Sequence, residues 1–174
     1  MKKRILLGCI GAAFILLIGS IAILLKKKRD FNQTITDLPS FCLPQALDSM
    51  SFCSKQLLKD KSVVLMYLHP ECNICHIESQ QMHPKMKKMN NIQWILVSFA
   101  EKDSLNKFSS TYQLNEIPDL TILMDSKFEL YDQLQVKSIP SCYIYDRQLK
   151  LVKIIRGMAK LETIIQLAKQ DNNN

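Results

Sequence analysis

Two cysteines at close spacing, Cys72 and Cys75, are the strongest chemical signal in the sequence. They follow an apolar run typical of a buried strand and open a segment with helical spacing. Two thiols three residues apart at a helix start can close a small disulfide ring. The first thiol also faces free backbone N–H groups and the positive end of the helix dipole, which stabilise a thiolate. The pattern predicts Cys72 as the nucleophile of thiol–disulfide exchange and Cys75 as the resolving thiol.

Glu78 lies one helical turn beyond Cys75, on the same predicted helix face. A carboxylate there could exchange a proton with Cys75, and its negative charge opposes ionisation of the thiols. An ordinary solvated glutamate would have the same spacing. The residues alone therefore leave a catalytic and a structural role for Glu78 open.

The same two thiols also fit patterns of metal and haem binding. With His76 they match the CxxCH motif of haem attachment, although alternating strands and helices are unlike an all-helical haem pocket. Zinc would need two more ligands. Copper could be held by the thiols together with His69 or His76, so a non-enzymatic copper-binding module is one alternative. The main prediction contains no metal and no cofactor.

The remaining cysteines of the folded part have separate interpretations. Cys42 and Cys53 lie close together in the opening segment and could form a structural disulfide, which suits an oxidising compartment, or remain two buried thiols. The sequence leaves this choice open. Cys142 falls within a predicted strand and is interpreted as a buried core residue.

Apolar strands alternate with amphipathic helices along the rest of the chain. The predicted strands are Ser62–His69, Ile92–Ala100, Leu120–Met124, Ser141–Tyr145 and Leu149–Arg156. The predicted helices are Ile74–Asn90 (bent at Pro84), Ser104–Leu114, Ser126–Leu134 and Lys160–Lys169. This alternation indicates an α/β fold with a mostly parallel central sheet flanked by helices, to which the last hairpin adds antiparallel strands.

The N-terminal region predicts a membrane anchor. The uncharged run Ile5–Leu25 is long enough to cross a hydrocarbon core of about 30 Å. It is longer than the apolar core of a cleaved signal peptide, and Cys9 lies too near the charged start to be a lipid-modified cysteine. The net charge of +7 comes from the basic residues among the first 29, which argues against nucleic acid as a partner of the folded part.

Pro140 precedes a predicted strand, where proline is normally excluded, and is a candidate for a cis peptide bond. With this proline downstream of the CxxC motif, residues 38–170 resemble the thioredoxin-like thiol–disulfide oxidoreductases. The membrane-anchored TlpA/ResA-like branch of the AhpC/TSA-redoxin superfamily is the most similar. The resemblance is carried by LPSFCL, SVVLMYLHPECNICHIE and IPDLTILMDSKFELYDQLQVKSIPSCYIYDRQLKLVKIIRG. It implies a thioredoxin-like fold, places Glu78 on the branch's glutamate, and assigns Ile139 and Pro140 to the loop that receives the partner's backbone.

The sequence departs from the branch at three positions. Glu71 replaces the usual aromatic residue before the first cysteine, Ile74 replaces a proline, and Ile139 stands where threonine is frequent. These changes bear on redox potential and partner more than on the fold. A peroxiredoxin-like thiol peroxidase is an alternative, since Cys75-His76-Ile77-Glu78 is similar to that family's Cys-Thr-x-Glu, but Cys72 replaces the peroxide-binding threonine.

The sequence as a whole predicts a membrane-tethered thiol–disulfide oxidoreductase, with reduction of protein disulfides favoured over oxidation. Its expected partners are protein disulfides, a membrane or extracytoplasmic thiol that donates electrons, and the lipid bilayer through residues 5–25. The resemblance implies a single-pass protein of a bacterial inner membrane with its domain on the periplasmic or outer face. The predicted parts are an anchor over 1–29, a stalk over 30–37, a thioredoxin-like domain over 38–170 and a disordered tail over 171–174.

Overall fold

The computed structural model describes residues 14–25, 36–48 and 50–170. The chain divides into two units, residues 1–34 and 35–174. Residues 14–25 are helical and exposed. Among the described residues, no helix combines the length and the apolar character that a membrane span requires. The predicted span Ile5–Leu25 lies partly outside the described residues. Most of the predicted stalk and the whole of the predicted tail, 171–174, also lie outside them.

The second unit is built on strands and short helices in alternation. The described strands are β1 (Cys42–Pro44), β2 (Ser51–Cys53), β3 (Ser62–Tyr67), β4 (Ile92–Ser98), β5 (Leu120–Met124), β6 (Ser141–Tyr145) and β7 (Leu151–Arg156). The described α-helices of this unit are α1 (Asn73–Ser79), α2 (Met82–Met86), α3 (Lys102–Thr111), α4 (Glu129–Leu134) and α5 (Leu161–Ala168). Short 3₁₀ helices cover Ser54–Gln56 and Leu114–Glu116.

Five strands form the central sheet in the order β5-β4-β3-β6-β7. Strands β3, β4 and β5 pair in parallel, whereas β6 pairs antiparallel with both β3 and β7. This confirms the predicted mixed sheet. Strands β3 and β4 are buried along their whole length, which explains why both read as continuous apolar runs rather than as alternating ones.

Successive side chains of β3 enter two different cores, because a strand points its side chains to opposite faces of the sheet. Val64 and Met66 belong to the core that contains Cys75, which we call the dithiol face. Val63 and Leu65 belong to the core that contains Phe41, which we call the hairpin face. Helices α1, α2, α3 and α5 cover the dithiol face, and α4 with the β1–β2 hairpin covers the hairpin face.

The prediction of one bent helix over Ile74–Asn90 is wrong. The structure has two helices instead, α1 and α2, which are interrupted at Gln80 and Gln81. Pro84 explains the break, because proline has no N–H to donate to the carbonyl four residues earlier, that of Gln80, and its ring clashes with that carbonyl. Pro84 is tolerated inside α2 because it falls in the first turn of that helix.

The β1–β2 hairpin was not predicted, because strands of three residues are too short to show an alternating pattern. The other elements are confirmed, with ends that shift by a few residues. Strands β5 and β6 have the predicted limits.

Candidate active site

The Cys72 thiol is positioned by the end of β3 and the start of α1. After the last residue of β3, Leu68 still donates its N–H to Val97 O at 3.0 Å, and Cys72 N donates to His69 O at 3.0 Å. Cys72 then takes the N-cap position of α1 with extended backbone angles. Its sulfur accepts the Cys75 N–H at 3.3 Å. The loop therefore holds this sulfur against the first turn of the helix.

The two thiols differ in their access to solvent. Cys72 is partly exposed, whereas Cys75 is 1% exposed and belongs to the dithiol-face core. Burial raises the pKa of Cys75 to about 12, and the hydrogen bond with Cys72 and the charge of Glu78 act in the same direction. Attack on a partner disulfide requires an accessible thiol, which Cys72 provides. The buried, protonated Cys75 is held back for the later resolution step.

Glu78 is the buried carboxyl of this site. It is 7% exposed, and one carboxylate oxygen accepts the Ala159 N–H at 3.2 Å. Burial raises the pKa of Glu78, and the bond from Ala159 only partly opposes this shift. The residue lines an open cavity of about 430 Å³ with Ile77 and Met158. Its place near Cys75 and its raised pKa make it a better proton acceptor for the thiol than an exposed carboxylate would be.

The loop before β6 closes the site from the other side. The Ile139–Pro140 peptide bond is cis. The Cys72 thiol donates to Ile139 O at 3.8 Å. Pro140 O accepts the N–H of Gly157 at 2.8 Å, and Gly157 has a φ of +82°, a conformation that favours glycine. The structure thus brings together Cys72, Cys75, Glu78, Ile139 and Pro140, all predicted from the sequence.

The sequence did not place two groups, the Ala159 N–H and the Cys142 thiol, next to the site. The Ala159 group that binds Glu78 is a backbone N–H, which any residue but proline could supply. Cys142 is a core residue, as predicted, but it shares the dithiol-face core with Cys75. Burial raises the pKa of its thiol, and the charge of Glu78 adds to the shift. A strand pattern identifies such a residue as buried without showing which thiol it will lie near.

His76 faces helix α3. Its Nδ1 lies 2.6 Å from the hydroxyl oxygen of Tyr112, and its ring packs against Phe108 with the ring centroids 5.2 Å apart. In the described ranges, no group of three or more His, Cys, Asp or Glu residues is arranged to hold a metal ion.

Cys42 and Cys53 are joined by a disulfide, one of the two outcomes that the sequence left open. They are directly opposite one another in the antiparallel pairing of β1 with β2. The strand β1 residues that flank Cys42, Phe41 and Leu43, enter the hairpin-face core. The disulfide therefore lies on the opposite side of the central sheet from Cys72 and Cys75.

The profile of the AhpC/TSA family matches residues 35–154, more than half of the chain. The chain belongs to the AhpC/TSA family. Among curated proteins, no sequence is significantly similar.

Solved structures are similar in fold. A secreted Mycobacterium tuberculosis disulfide oxidoreductase, homologous to E. coli DsbE, has a TM-score of 0.64 and 17% identity over 79% of this chain and 98% of its own. A putative thioredoxin from Neisseria meningitidis has a TM-score of 0.63 and 18% identity over 75% and 85%. A peroxiredoxin-like protein from Aquifex aeolicus has a TM-score of 0.60 and 14% identity over 75% and 83%. These likenesses confirm the thioredoxin-like fold, and the choice between activities depends on the site.

Proposed function

We propose that this AhpC/TSA-family protein is a thiol–disulfide oxidoreductase that reduces protein disulfides through Cys72 and Cys75. The observation that carries the proposal is the position of the partly exposed Cys72 sulfur between the Cys75 N–H, at 3.3 Å, and the Ile139 carbonyl, at 3.8 Å. A partner chain that lies along the Ile139–Pro140 loop would present its disulfide to this sulfur.

The reaction proceeds in two exchanges. The Cys72 thiolate attacks one sulfur of the partner disulfide, a mixed disulfide forms, and the other partner sulfur leaves as a thiolate. Cys75 then loses its proton to the Glu78 carboxylate and attacks the Cys72 sulfur, which releases the second partner thiol and leaves a Cys72–Cys75 disulfide. A membrane or extracytoplasmic thiol restores the dithiol by the reverse exchange.

Reduction is the favoured direction because the pKa of Cys75 is raised to about 12. A thiol with a raised pKa is not stabilised as a thiolate, so the reduced pair gains no stability from ionisation and its potential is expected to be low. The dithiol form is therefore a good electron donor. Glu71 and Ile74, which depart from the usual residues of the branch, also affect the redox potential of the cysteine pair.

The experiment is a measurement of the Cys72/Cys75 reduction potential on the full chain in detergent, by equilibration in thiol buffers and alkylation with mass mapping. A reductase should have a potential of about −250 mV or lower, whereas an oxidant would lie near roughly −120 mV. Cys72→Ser and Cys75→Ser serve as controls. The proposal fails if no two-electron couple depends on both cysteines.

A thiol peroxidase is the second candidate, since a peroxiredoxin-like structure is among the fold neighbours. The cysteine that matches the peroxidatic position is Cys75, which is buried and whose pKa is raised to about 12. Both properties oppose attack on a peroxide, which needs an accessible thiolate. Hydrogen peroxide consumption that survives in Cys72→Ser but not in Cys75→Ser would favour the peroxidase.

The proposal includes a tether to a bacterial inner membrane with the domain on the periplasmic or outer face. It is supported by the uncharged run Ile5–Leu25 between basic clusters. In spheroplasts of a host that expresses the full chain, an impermeant maleimide should label Cys72 without lysis. Labelling that requires lysis would place the domain in the cytosol and contradict this part of the proposal.

A further inference from the structure

The disulfide between Cys42 and Cys53 is remote from the dithiol site by the topology of the sheet. Its hairpin packs on the hairpin face through Phe41 and Leu43, whereas Cys75 packs on the dithiol face. The full thickness of the sheet separates the two pairs, so direct exchange between them within one molecule is excluded. Any chemistry at Cys42 and Cys53 is therefore independent of Cys72 and Cys75.

This disulfide is open to solvent. Cys42 is exposed and Cys53 is half-buried. Both line an open cavity of about 440 Å³, whose other polar lining residues are Ser40, Ser54, Lys55, Glu129 and Gln133. Exposed disulfides are the ones that exchange readily with thiols, because an attacking sulfur can approach along the S–S axis. The cavity gives such a thiol room beside the bond.

The hairpin is held in place by contacts that do not include the disulfide. Phe41 and Leu43 are buried, and Ser54 N donates to Phe41 O at 2.9 Å. Beyond β1, Ala46 is fully buried and donates its N–H to Ile122 O of strand β5 at 2.8 Å. The bond can therefore open and close while the hairpin stays docked, as a reversible exchange site requires.

The charges of the cavity indicate which thiol fits. Lys55 offers a cation and Glu129 an anion, and in the described part of the chain neither has an ion-pair partner. A thiol that carries both a carboxylate and an ammonium group could pair with both side chains while its sulfur faces the disulfide. A neutral thiol would gain nothing from them.

We propose that Cys42–Cys53 is a second thiol-exchange site, whose substrate is a small zwitterionic thiol of the amino-acid or short-peptide class. One substrate thiolate attacks the exposed Cys42 sulfur, the Cys42–Cys53 bond breaks, and Cys53 leaves as a thiolate that takes a proton from water. A second substrate thiolate attacks the substrate sulfur of the mixed disulfide, the bond to Cys42 breaks, and Cys42 leaves as a thiolate that takes a proton from water. Two substrate thiols become one substrate disulfide, and the two electrons they lose reduce the pair to two thiols.

The test uses the full chain with Cys72→Ser and Cys75→Ser, so that the proposed active site contributes nothing to the result. The protein is mixed with reduced glutathione, quenched with acid, alkylated and mapped by mass spectrometry. The Cys42–Cys53 pair should open as a two-electron couple in glutathione buffers. After a further Cys53→Ser change, oxidised glutathione should leave one glutathione bound to Cys42 and release the other as a thiol. Lys55→Glu and Glu129→Lys should each slow the reaction with glutathione about fivefold, the size expected for exposed charge pairs.

The matched control is 2-mercaptoethanol, whose only charge is that of the attacking thiolate. Lys55→Glu should slow this thiol and Glu129→Lys should speed it, instead of both variants slowing it. The proposal is overturned if the pair stays oxidised in glutathione buffers that fully reduce Cys72 and Cys75 of the unmutated protein, which would make it a structural bond only. It is also overturned if the charge variants react with glutathione as fast as the parent does, because the cavity would then select no zwitterion.

Discussion

Cys72 and Cys75 lie on one turn of a helix, whereas Cys42 and Cys53 face each other across two strands on the other side of the sheet. The helical pair is asymmetric, with one thiol partly exposed and the other in the core beside a buried carboxyl. The hairpin pair is bonded and open to solvent, beside an exposed carboxyl and an exposed lysine. Directional exchange with a protein needs the asymmetry of the first pair, whereas the second suits a small thiol.

The sharpest separation of the two pairs is in activity. Cys72→Ser should lower the rate of protein-disulfide reduction by about a thousandfold or more, since the attacking sulfur is lost. Cys42→Ser should lower the same rate by less than about twofold, because the two sites lie on opposite faces and share no contact. Turnover of a fluorescent protein-disulfide substrate measures both. A large loss of reductase activity in Cys42→Ser would contradict the independence of the two cysteine pairs.

For the free energy of unfolding we expect the opposite, with the larger loss from the Cys42–Cys53 pair. Replacing both Cys42 and Cys53 by serine should lower the free energy of unfolding by about 3 kcal/mol, because the bond closes a short loop in the unfolded chain. Replacing the partly exposed Cys72 by serine in the reduced protein should change it by less than about 1 kcal/mol. Urea unfolding under non-reducing conditions tests the first pair, and unfolding with reductant tests the second. Equal losses would contradict the assignment.

The two carboxyls also distinguish the pairs. Glu78→Gln keeps an oxygen that can accept the Ala159 N–H but removes the proton acceptor, so release of the trapped mixed disulfide should slow about a hundredfold. The first attack by Cys72 should keep its rate. Glu129→Gln, at the other cavity, is the matched control and should leave both steps unchanged. Rapid quenching with acid and mass detection of the mixed disulfide separates the steps.

Glu78 should also make stability depend on pH. Burial raises its pKa in the folded state, so the folded protein holds this proton more tightly than the unfolded chain does. The contribution is complete below the ordinary value of 4.5 and is lost as the pH rises from there through the raised pKa. Glu78→Gln should flatten the fall of unfolding free energy over this window. Parallel profiles of the two proteins would contradict the shift.

The smallest expected effect concerns the packing of α1 on α3. Tyr112→Phe removes the hydroxyl 2.6 Å from His76 Nδ1 and should cost about 1 kcal/mol of stability. Activity should stay within about twofold, since the bond orients the helix without contacting the thiols. Tyr131→Phe is a control, because that hydroxyl forms no hydrogen bond with a described residue. A tenfold loss of activity in Tyr112→Phe would indicate instead that His76 takes part in catalysis.

Much of the fold could be predicted from the sequence because the patterns that indicate its strands and helices involve only neighbouring residues. The apolar runs of β3 and β4 and the limits of β5 and β6 follow from side-chain patterns within a few residues. The helix break was misplaced although its cause, Pro84, was visible. A proline disturbs the residue four positions before it, so the interruption falls at Gln80 rather than at the proline itself.

The sequence by itself determined the spacing of Cys72 and Cys75, their place between a buried strand and a helix, and the proline before β6. These are short-range features, because a few neighbouring residues set them. Only the tertiary structure decided that Cys42 bonds Cys53, that this bond lies across the sheet from the dithiol, and that a backbone N–H binds Glu78. Pairings between distant segments depend on the energy of the whole packed chain, and no local pattern of residues encodes them.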